Sequence, residues 1–381
     1  MIPGDLDTRT GGYGYDRRIV AGLRDRGWSV DVRRLDGSFP TPTPAAREHA
    51  AQVLASIPDE STVLVDGLAL GALPAEVERE AVRLKIVALV HHPLAAETGI
   101  DPALAAALEI SERRALAASR SVVVTSRATS ARLADYGVGA GRITVIEPGT
   151  DSAPLARGSV SSSRPSAFRK KLSARSPAPS DEPSALGAEP VEVALLCVAT
   201  VSARKGYELL LRALAAIPQR NWRLTCAGSL DRDTATVARV RAQLRAHGLE
   251  DRVSLSGDLE AGALAALYDR TDLFVLATLY EGYGMAVAEA LARGLPVIST
   301  ATGAIEDLVL GSVRLHPDQP AGIVVPPGDV AAFADALSRV LGDAQLRAQL
   351  AAGARRVRDR LPTWDASAAA MARALERGAR M

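Results

Sequence analysis

The chain has 381 residues, of which 48% are hydrophobic and 23% are charged, a composition typical of a globular protein of about two domains. A net charge of +1 gives no basis for binding nucleic acid, and an aromatic content of 4% argues against base-stacking platforms. No apolar run is long enough to span a membrane and no signal-peptide pattern opens the chain, so we expect a cytoplasmic protein. Cys197 and Cys226 lie in apolar strand-like runs and are predicted to be buried thiols.

Strand-like and helix-like patterns alternate through residues 1–151, which predicts an N-terminal α/β domain with a parallel sheet. The predicted strands are 29–32, 62–65, 84–90, 121–125 and 143–146, and the predicted helices include 17–26 and 101–118. A first strand normally precedes a glycine loop of the kind found at 11–14, yet only Met1 and Ile2 come before Pro3 here. We therefore expect either a start upstream of Met1 or a sheet that lacks one strand.

The composition changes at 152–190, where Ser, Pro and Ala dominate and a basic knot occurs at 168–171. This composition predicts a flexible linker or a disordered insertion. The knot could contact an anionic membrane surface, but three basic residues are few, so a solvated segment is favoured. A second alternation over 191–364 predicts another α/β domain, and 365–381 is predicted to be a closing helix. The strands predicted in the second domain are 191–199, 222–227, 253–256, 272–277, 296–299 and 322–325.

The most informative segment is 281–298, in which Glu281 and Glu289 stand eight positions apart around a Gly-x-Gly turn. An apolar strand pattern precedes Glu281, and an alanine-rich helical pattern contains Glu289. Ligands of parallel α/β sheets bind at the carboxyl ends of the strands, and the free N–H groups at the start of a helix favour phosphate. The segment therefore predicts a nucleotide-sugar site, in preference to two solvated glutamates.

This E-x7-E motif contains E-G-x-G and ends in E-A-x-A-x-G-x-P-V-I, and it resembles the signature of the family 4 retaining glycosyltransferases. The resemblance implies an α/β protein with two Rossmann-like domains facing a cleft, the GT-B fold, whose C-terminal helix crosses back to the N-terminal domain. It implies that Glu281 faces the donor sugar and that Glu289 binds the ribose hydroxyls. The other donor-binding residues implied on this segment are Gly282, Tyr283, Gly284 and Met285.

A strand, loop and helix pattern around Arg204, Lys205 and Gly206 resembles the family's R-K-G segment, in which the Lys holds the donor pyrophosphate. Many relatives carry an Arg where this chain has Thr200, so the phosphate contact at Thr200 is expected to be weaker or to come from Arg204. Gly228 and Gly257 each follow a predicted strand and match positions that line the nucleotide base pocket, largely through backbone. A surface helix start at Lys205 is the weaker alternative.

In the first domain, the glycine-rich segment around Gly12 leads into a helix, so its backbone could approach phosphate or acceptor, although a plain turn is the alternative. His91 and His92 follow a strong strand pattern. The resemblance gives His91 a place beside the donor sugar, with His92 as second choice, against the alternative of a structural histidine. Asp151, in a P-G-x-D segment, is expected near the hinge or as a turn residue.

We expect no metal site, because adjacent histidines are poorly spaced as ligands and no third ligand is evident. The D-x-D matches at 5–7 and 231–233 are short and lie away from the other candidates, so both are rejected.

The resemblance implies a metal-independent transferase that moves a hexosyl group, with retention, from a nucleoside-diphosphate sugar. UDP or GDP is the expected carrier, and no further cofactor is expected. The acceptor stays open among a sugar, a lipid and a small metabolite, and front-face attack is favoured over a covalent intermediate. A GT-B epimerase or phosphorylase is one alternative, and a non-catalytic sugar-nucleotide binding protein is another.

Overall fold

The structure is a computed structural model that describes residues 1–159, 192–311 and 319–380. The basic knot at 168–171 lies outside these ranges. The N-terminal domain contains strands β1 (Ile2–Pro3), β2 (Arg34–Leu35), β3 (Thr62–Asp66), β4 (Lys85–Val90), β5 (Ser121–Val124) and β6 (Ile143–Val145). Its helices are α1 (Gly11–Asp25), α2 (Pro44–Ala55), α3 (Gly67–Leu70), α4 (Pro74–Glu80), α5 (Pro102–Ala118) and α6 (Arg127–Ala134).

Strands β3, β4, β5 and β6 form a parallel sheet in that order, and β1 pairs in parallel with β2. Backbone bonds of Met1 place this pair beside β3. The Met1 amino group donates to Leu64 O at 2.7 Å, and Asp66 N donates to Met1 O at 3.1 Å. These hydrogen bonds place the two-residue strand β1 next to β3, at the edge of the four-stranded sheet.

Two predicted elements of this domain differ in the structure. The helix predicted at 17–26 begins earlier, at Gly11, because the Thr10 hydroxyl caps its first turn by accepting from Tyr13 N at 3.4 Å. Residues 29–32, predicted to be a strand, form no strand pairing in the described residues. Pairing with β1 begins only at Arg34, which lies opposite Ile2. Since β1 offers two residues for pairing, 29–32 forms no ladder. Residues of this segment and of β3 line a cavity of about 330 Å³.

The second domain is built on strands β7 (Val193–Val198), β8 (Trp222–Ala227), β9 (Val253–Gly257), β10 (Leu273–Leu276), β11 (Val297–Thr300) and β12 (Gly322–Val325). Its helices are α7 (Tyr207–Ala216), α8 (Thr234–Ala246), α9 (Ala261–Asp269), α10 (Met285–Ala292), α11 (Ile305–Leu310), α12 (Val330–Gly342), α13 (Ala344–Arg358) and α14 (Trp364–Arg380), the last of which leaves the domain. All six strands are parallel, in the order β12-β11-β10-β7-β8-β9. Strands β7 to β9 extend to one edge of the sheet, and β10 to β12 extend from β7 to the other edge.

Helices cover both faces of this sheet, and its central strands are buried on both sides, as continuous apolar runs predict. All four residues of β10 are buried. Cys197 and Cys226 occupy opposite positions of β7 and β8, and both are buried free thiols. In the described ranges, no helix has the length and apolar character that crossing a membrane requires.

Helix α14 returns to the N-terminal domain and packs on α1, as the resemblance implied. A Cβ atom on Gly22 would lie 2.5 Å from the Ala368 Cβ, so only glycine permits this close approach of the two helices. Arg26 donates to the Asp365 carboxylate at 2.6 Å, and Ser367 donates to Glu147 O at 2.7 Å. These contacts tie the end of the chain to the first domain.

Residues 152–159 belong to the segment predicted to be a flexible linker or disordered insertion, and they lie against the second domain. Ala156 N donates to Arg293 O at 2.9 Å, and Ser159 N donates to the Asp272 carboxylate at 3.0 Å. Arg157 pairs with Asp269. The rest of the predicted linker, 160–190, lies outside the described residues.

Candidate active site

The strand order of the second domain brings two distant loops together. Because β7 and β10 are neighbours, the loops that follow them meet at the carboxyl edge of the sheet. Lys205, from the loop after β7, donates to the carboxylate of Glu281, from the loop after β10. Gly206 makes the approach possible, because it has a φ of +65° and a Cβ atom there would lie 1.9 Å from Ala277 O.

Glu281 is a buried carboxylate held by cations. The Arg204 guanidinium lies 3.9 Å from the same carboxylate oxygen that Lys205 contacts, and the Thr278 hydroxyl donates to that oxygen at 3.3 Å. Burial raises the pKa of Glu281, but the positive charges of Lys205 and Arg204 outweigh it and hold that pKa below its usual value. The group is therefore an anion at neutral pH.

Helix α10 begins directly after this carboxylate. Gly284 precedes the helix with a φ of +97°, so the turn from Glu281 into the helix depends on a left-handed residue. The free N–H groups of the first turn, including Met285, form a positive end to which a phosphate can bind. The Met285 side chain faces the first turn of α1, with Sδ 3.7 Å from where a Cβ on Gly11 would lie.

Glu289 lies one turn further along α10 and is partly buried. Its carboxylate accepts from the Tyr268 hydroxyl at 3.0 Å. Burial raises its pKa above the usual value. Glu289 thus lies on the helix that starts at the Lys205–Glu281 pair, in a polar contact with Tyr268 that leaves further acceptor sites on the carboxylate.

His91 lies at the end of β4 in a cage of carboxylates. Its Nε2 is 3.2 Å from Asp16 Oδ1 and 3.6 Å from Asp66 Oδ2. Gly12 lies over the ring, because a Cβ there would be 3.6 Å from His91 Cδ2. The Tyr15 ring meets the imidazole edge-on, with 5.4 Å between centroids. Gly12 and His91, predicted separately, are therefore brought together in the first domain.

The two domains touch at these predicted residues. A Cβ atom on Gly282 would lie 2.3 Å from His91 O, so the backbone of the E-G-x-G turn abuts the end of β4. Arg204 Nε lies 3.1 Å from Glu97 Oε1, and His92 Nε2 lies 3.5 Å from Glu97 Oε2. Glu97 thus connects the second histidine of the first domain to the cations of the second.

Thr200, Gly228 and Gly257 form a row at the carboxyl ends of β7, β8 and β9. Gly228 N donates to Gly257 O at 2.9 Å, and a Cβ on Gly228 would lie 2.8 Å from Thr200 N. The close packing at these strand ends is between main-chain atoms; the base-pocket role of Gly228 and Gly257 stays a prediction. Among the described residues, the Thr200 side chain forms no hydrogen bond with Glu281.

Tyr283 is placed differently from its neighbours in the motif. Its ring packs with Ala288 and Ala304 and lines a cavity of about 220 Å³ that lies beside Glu147 and Leu361. A contact with donor at this position would therefore come from the Tyr283 backbone. Asp151 lies at the domain junction and pairs with Arg18 of α1.

Aspartates of the two rejected D-x-D matches accept hydrogen bonds from nearby backbone N–H groups. Asp233 caps α8 by accepting from Thr236 N at 2.9 Å, and Asp5 accepts from Asp7 N at 3.1 Å. A different group, Asp16, Asp66 and His91, presents three potential metal-ligand atoms within 4.8 Å of one another. The sequence showed no third ligand, because these residues lie on α1, β3 and the end of β4.

Three residues of this site were missed in the sequence: Asp16, Asp66 and Glu97. Asp66 directly follows a predicted strand, so the end-of-strand rule that selected His91 could have found it. Asp16 lies four positions after Gly12, which is helical spacing once the helix is known to start at Gly11. Glu97 carries no such signal, because its partner Arg204 belongs to the other domain.

Comparison with known families agrees with this geometry. Residues 181–357 match the family described as "Glycosyl transferases group 1", and residues 63–153 match "Glycosyltransferase Family 4". The chain belongs to the family 4 glycosyltransferases. The second match ends at the domain junction and the first covers most of the domain that carries Lys205 and Glu281.

Among proteins of known name, this family 4 chain is 32% identical over 267 residues to a D-inositol 3-phosphate glycosyltransferase of Xylanimonas cellulosilytica. The match covers 69% of this chain and 58% of that protein. The chain spans about half the length of the curated relatives of this name that it matches.

Two solved structures share the fold over almost the whole chain. Sucrose-phosphate synthase from Thermosynechococcus elongatus superposes with a TM-score of 0.75 at 22% identity, covering 99% of this chain and 98% of that one. HepE of Anabaena, solved in complex with UDP and glucose, gives a TM-score of 0.71 at 17% identity, covering 98% of each chain. The fold is therefore GT-B, two Rossmann-like α/β domains facing a cleft, as the motif implied.

Proposed function

We propose that this chain transfers a hexosyl group from a nucleoside-diphosphate sugar to an acceptor, with retention at the anomeric carbon. The observation that carries the proposal is the contact of Lys205 with Glu281 at the start of α10. This pair lies at the edge of the sheet where α/β proteins bind nucleotides, so Lys205 would bind the diphosphate and Glu281 would face the sugar. Membership of family 4 supports the same chemistry.

The diphosphate would bind between Lys205 and the N-terminal end of α10. Charge grows on the departing diphosphate, and an ammonium group together with free N–H groups, including Met285, can stabilise it. Arg204 is the second cation, since its guanidinium already lies near Glu281 and Thr200 offers a hydroxyl where many relatives carry an arginine. These groups supply the charge stabilisation of a metal-independent transfer.

The sugar would lie between Glu281 of the second domain and His91 of the first. In the proposed step, the bond from the anomeric carbon to the diphosphate oxygen breaks and the acceptor oxygen bonds to the same face of that carbon. The acceptor's proton passes to the departing phosphate oxygen. The ionised Glu281 would stabilise the positive charge on the sugar, and closure of the domains would exclude water.

The nucleoside would extend along the second domain. Glu289 keeps acceptor sites on its carboxylate for ribose hydroxyls, and the backbones at Gly228 and Gly257 line the ends of β8 and β9, where a base would lie. Gly12 and His91 would face the donor from the first domain, which also supplies the acceptor side. HepE was solved with UDP and glucose, so UDP-glucose is the first donor to test, with the GDP sugars next.

The test is a thermal-shift panel of UDP, GDP, ADP, CDP and TDP on the wild type and on Lys205→Ala. A ligand that binds only the folded protein adds about 2.7 kcal/mol at one hundred times its Kd, which raises the melting temperature measurably. We expect one nucleotide to stabilise the wild type and to lose most of that effect in the variant. Equal stabilisation of both proteins would contradict the placement of the diphosphate at Lys205.

The proposed catalytic role of Glu281 is tested with the Glu281→Gln variant. The donor is the sugar derivative of the nucleoside diphosphate that stabilises the wild type. We expect the variant to bind the nucleotide as the wild type does but no longer to release nucleoside diphosphate from the donor. Epimerised donor from the wild type, in the absence of acceptor, would identify an epimerase instead. Unchanged behaviour of Glu281→Gln would indicate a binding protein.

A further inference from the structure

The Glu289 carboxylate is bonded to the protein through one of its two oxygens. Oε2 accepts from the Tyr268 hydroxyl at 3.0 Å, whereas Oε1 forms no hydrogen bond within the described part of the chain. Glu289 as a whole is partly exposed. Because a carboxylate oxygen accepts hydrogen bonds and a ribose hydroxyl can donate one, Oε1 is the oxygen available to a nucleoside. One half of this carboxylate is thus held by the protein and the other half is left for a ligand.

The Tyr268 hydroxyl has a single proton and two acceptors within reach. Ala286 O lies 3.4 Å away, and Glu289 Oε2 lies 3.0 Å away. A hydrogen bond to a carboxylate is shorter and about twice as strong as one between neutral groups, so the proton goes to Glu289. The Tyr268 side chain is fully buried, and water therefore does not compete for it.

The Tyr268 ring is fixed by two neighbouring side chains. The Arg293 guanidinium lies 4.2 Å from the ring centroid, and the Phe274 ring stacks at 6.3 Å with 14° between the planes. Arg293 also donates to Glu289 O at 3.0 Å. The same arginine therefore contacts the backbone of Glu289 and the ring that holds its carboxylate. Together with complete burial, these contacts leave the ring a single orientation.

Two consecutive residues tie together the C-terminal ends of α9 and α10, the helices that carry this hydroxyl and this carboxylate. Arg157 Nε donates to the Asp269 carboxylate, at the end of α9, at 2.8 Å. Ala156 N donates to Arg293 O, directly after α10, at 2.9 Å. The separation of the two helices is therefore set by contacts outside the pair itself. Loss of the hydroxyl alone leaves these contacts in place.

Tyr268 and Arg293 also oppose the effect of burial on Glu289. Burial raises the pKa of Glu289 above its usual value, and the charge of Asp151 adds to this. The hydrogen bond from Tyr268 and the charge of Arg293 act in the opposite direction. Without these two groups the carboxylate would bind a proton more readily, and it would then no longer be purely an acceptor.

We propose that Tyr268 is a positioning residue that fixes the plane of the Glu289 carboxylate and leaves its second oxygen for the ribose hydroxyls of the nucleotide. The proposal rests on the proposed function, which assigns Glu289 to the ribose. A free Glu side chain loses rotamer freedom when it binds a ligand, and a carboxylate that is already held by one oxygen loses less. Tyr268 thus acts on nucleotide affinity through Glu289, without contacting the ligand.

The test compares a nucleotide with its analogue that lacks both ribose hydroxyls. The first pair is UDP and 2′,3′-dideoxy-UDP, and the corresponding pair is used if another nucleoside diphosphate stabilises the wild type. Titration calorimetry measures both affinities for the wild type and for Tyr268→Phe, which keeps the ring and its contacts. We expect the variant to bind UDP about tenfold more weakly, as for a lost hydrogen bond to a charged group. Its affinity for the dideoxy analogue should change less than about twofold.

Tyr136→Phe is the matched control. It removes the hydroxyl from another buried ring that has an arginine over it, with Arg113 4.7 Å from the centroid, but it lies in the first domain. Both affinities should stay unchanged. Glu289→Ala supplies the second comparison: it should weaken UDP binding by itself, and adding Tyr268→Phe should cause no further loss, because Tyr268 acts through this carboxylate.

Equal losses for UDP and for the dideoxy analogue in Tyr268→Phe would show a general structural role and overturn the proposal. A further loss in the Glu289→Ala background would overturn it too. If Tyr268→Phe does not fold, Arg293→Met, which removes the guanidinium from the ring, gives the same comparison, and a loss confined to UDP is expected.

Turnover of UDP-glucose gives an independent reading. Tyr268→Phe should raise KM and leave kcat within about twofold, because Glu289 is assigned to the nucleoside and not to the reacting bond. A fall in kcat at unchanged KM would contradict the proposal. A wild type that binds no member of the nucleotide panel overturns the proposed function and this proposal together. A wild type that binds both members of the pair equally overturns this proposal alone.

Discussion

Lys205 donates to the Glu281 carboxylate from 76 positions earlier in the chain, and the two side chains are only 17% and 10% exposed. Neither charge could be buried alone at low cost, so each stabilises the other. In the proposed donor complex, Lys205 also meets a diphosphate. The pair therefore connects nucleotide binding to the electrostatic environment of the carboxylate that faces the sugar.

The first prediction concerns this pair. Lys205→Met removes the closer cation from a buried carboxylate and should lower the free energy of unfolding by about 1.5–3 kcal/mol, the range for a hydrogen bond to a charged group. Glu281→Gln in the same protein should recover part of the loss, because the unpaired charge is gone. Urea denaturation of both single variants and the double variant forms the cycle. Strictly additive losses would show that the two side chains do not stabilise each other.

The second prediction concerns the contact between domains. A Cβ atom on Gly282 would lie 2.3 Å from His91 O, so Gly282→Ala should hold the domains apart. We expect turnover of donor to fall by at least about tenfold, because small misplacements of reacting groups are costly, while nucleotide binding persists. Gly262→Ala, where a Cβ meets nothing within 4 Å, is the matched control and should leave turnover unchanged. Loss of nucleotide binding in Gly282→Ala would mean that the turn itself is distorted.

The third prediction concerns Glu97, the carboxylate that pairs with Arg204. Glu97 Oε1 lies 3.1 Å from Arg204 Nε, so a diphosphate must compete with Glu97 for this cation. Glu97→Gln should therefore tighten binding of the stabilising nucleotide about two- to fivefold, as expected for a partly exposed ion pair. Titration calorimetry measures the change. Glu78→Gln, which breaks an exposed pair with Arg114, should have no effect, and weaker binding in Glu97→Gln would reverse the assigned role.

The fourth prediction concerns a buried acid behind the histidine segment. Glu112 accepts from Leu94 N at 2.9 Å, and burial raises its pKa from 4.5 to about 8. The folded protein then holds a proton that the unfolded chain releases, so its stability falls as pH rises from about 4.5 to 8. Glu112→Gln should remove this loss and leave the variant more stable than wild type at pH 8.

Urea denaturation at pH 4.5, 6 and 8 gives the measurement, and Glu250→Gln, at an exposed position of the second domain, serves as control. The difference between Glu112→Gln and wild type should grow with pH. A constant difference across this range would show that Glu112 ionises alike in the folded and unfolded chain.

Much of the site was predictable because its residues follow strands. Lys205, Glu281 and His91 each lie just after an apolar strand pattern, and parallel strands place their carboxyl ends along one edge. Glycine residues indicated further positions, such as Gly228, which has a positive φ and where a Cβ atom would lie 2.1 Å from Ala199 O. Glu97 and Asp16 escaped prediction, because their partners come from another domain or another element.

Local pattern by itself determined most of the strands and their order, because burial on both faces makes parallel strands continuously apolar. The strand predicted at 29–32 is an exception. Local pattern also determined that Glu281 precedes a helix. Only the tertiary structure decided that β7 lies beside β10, which brings Lys205 to Glu281, and that the domains close until Gly282 touches His91. The reason is physical: neighbourhood in a parallel sheet and contact between domains depend on long-range packing, which leaves no periodic trace in a single sequence.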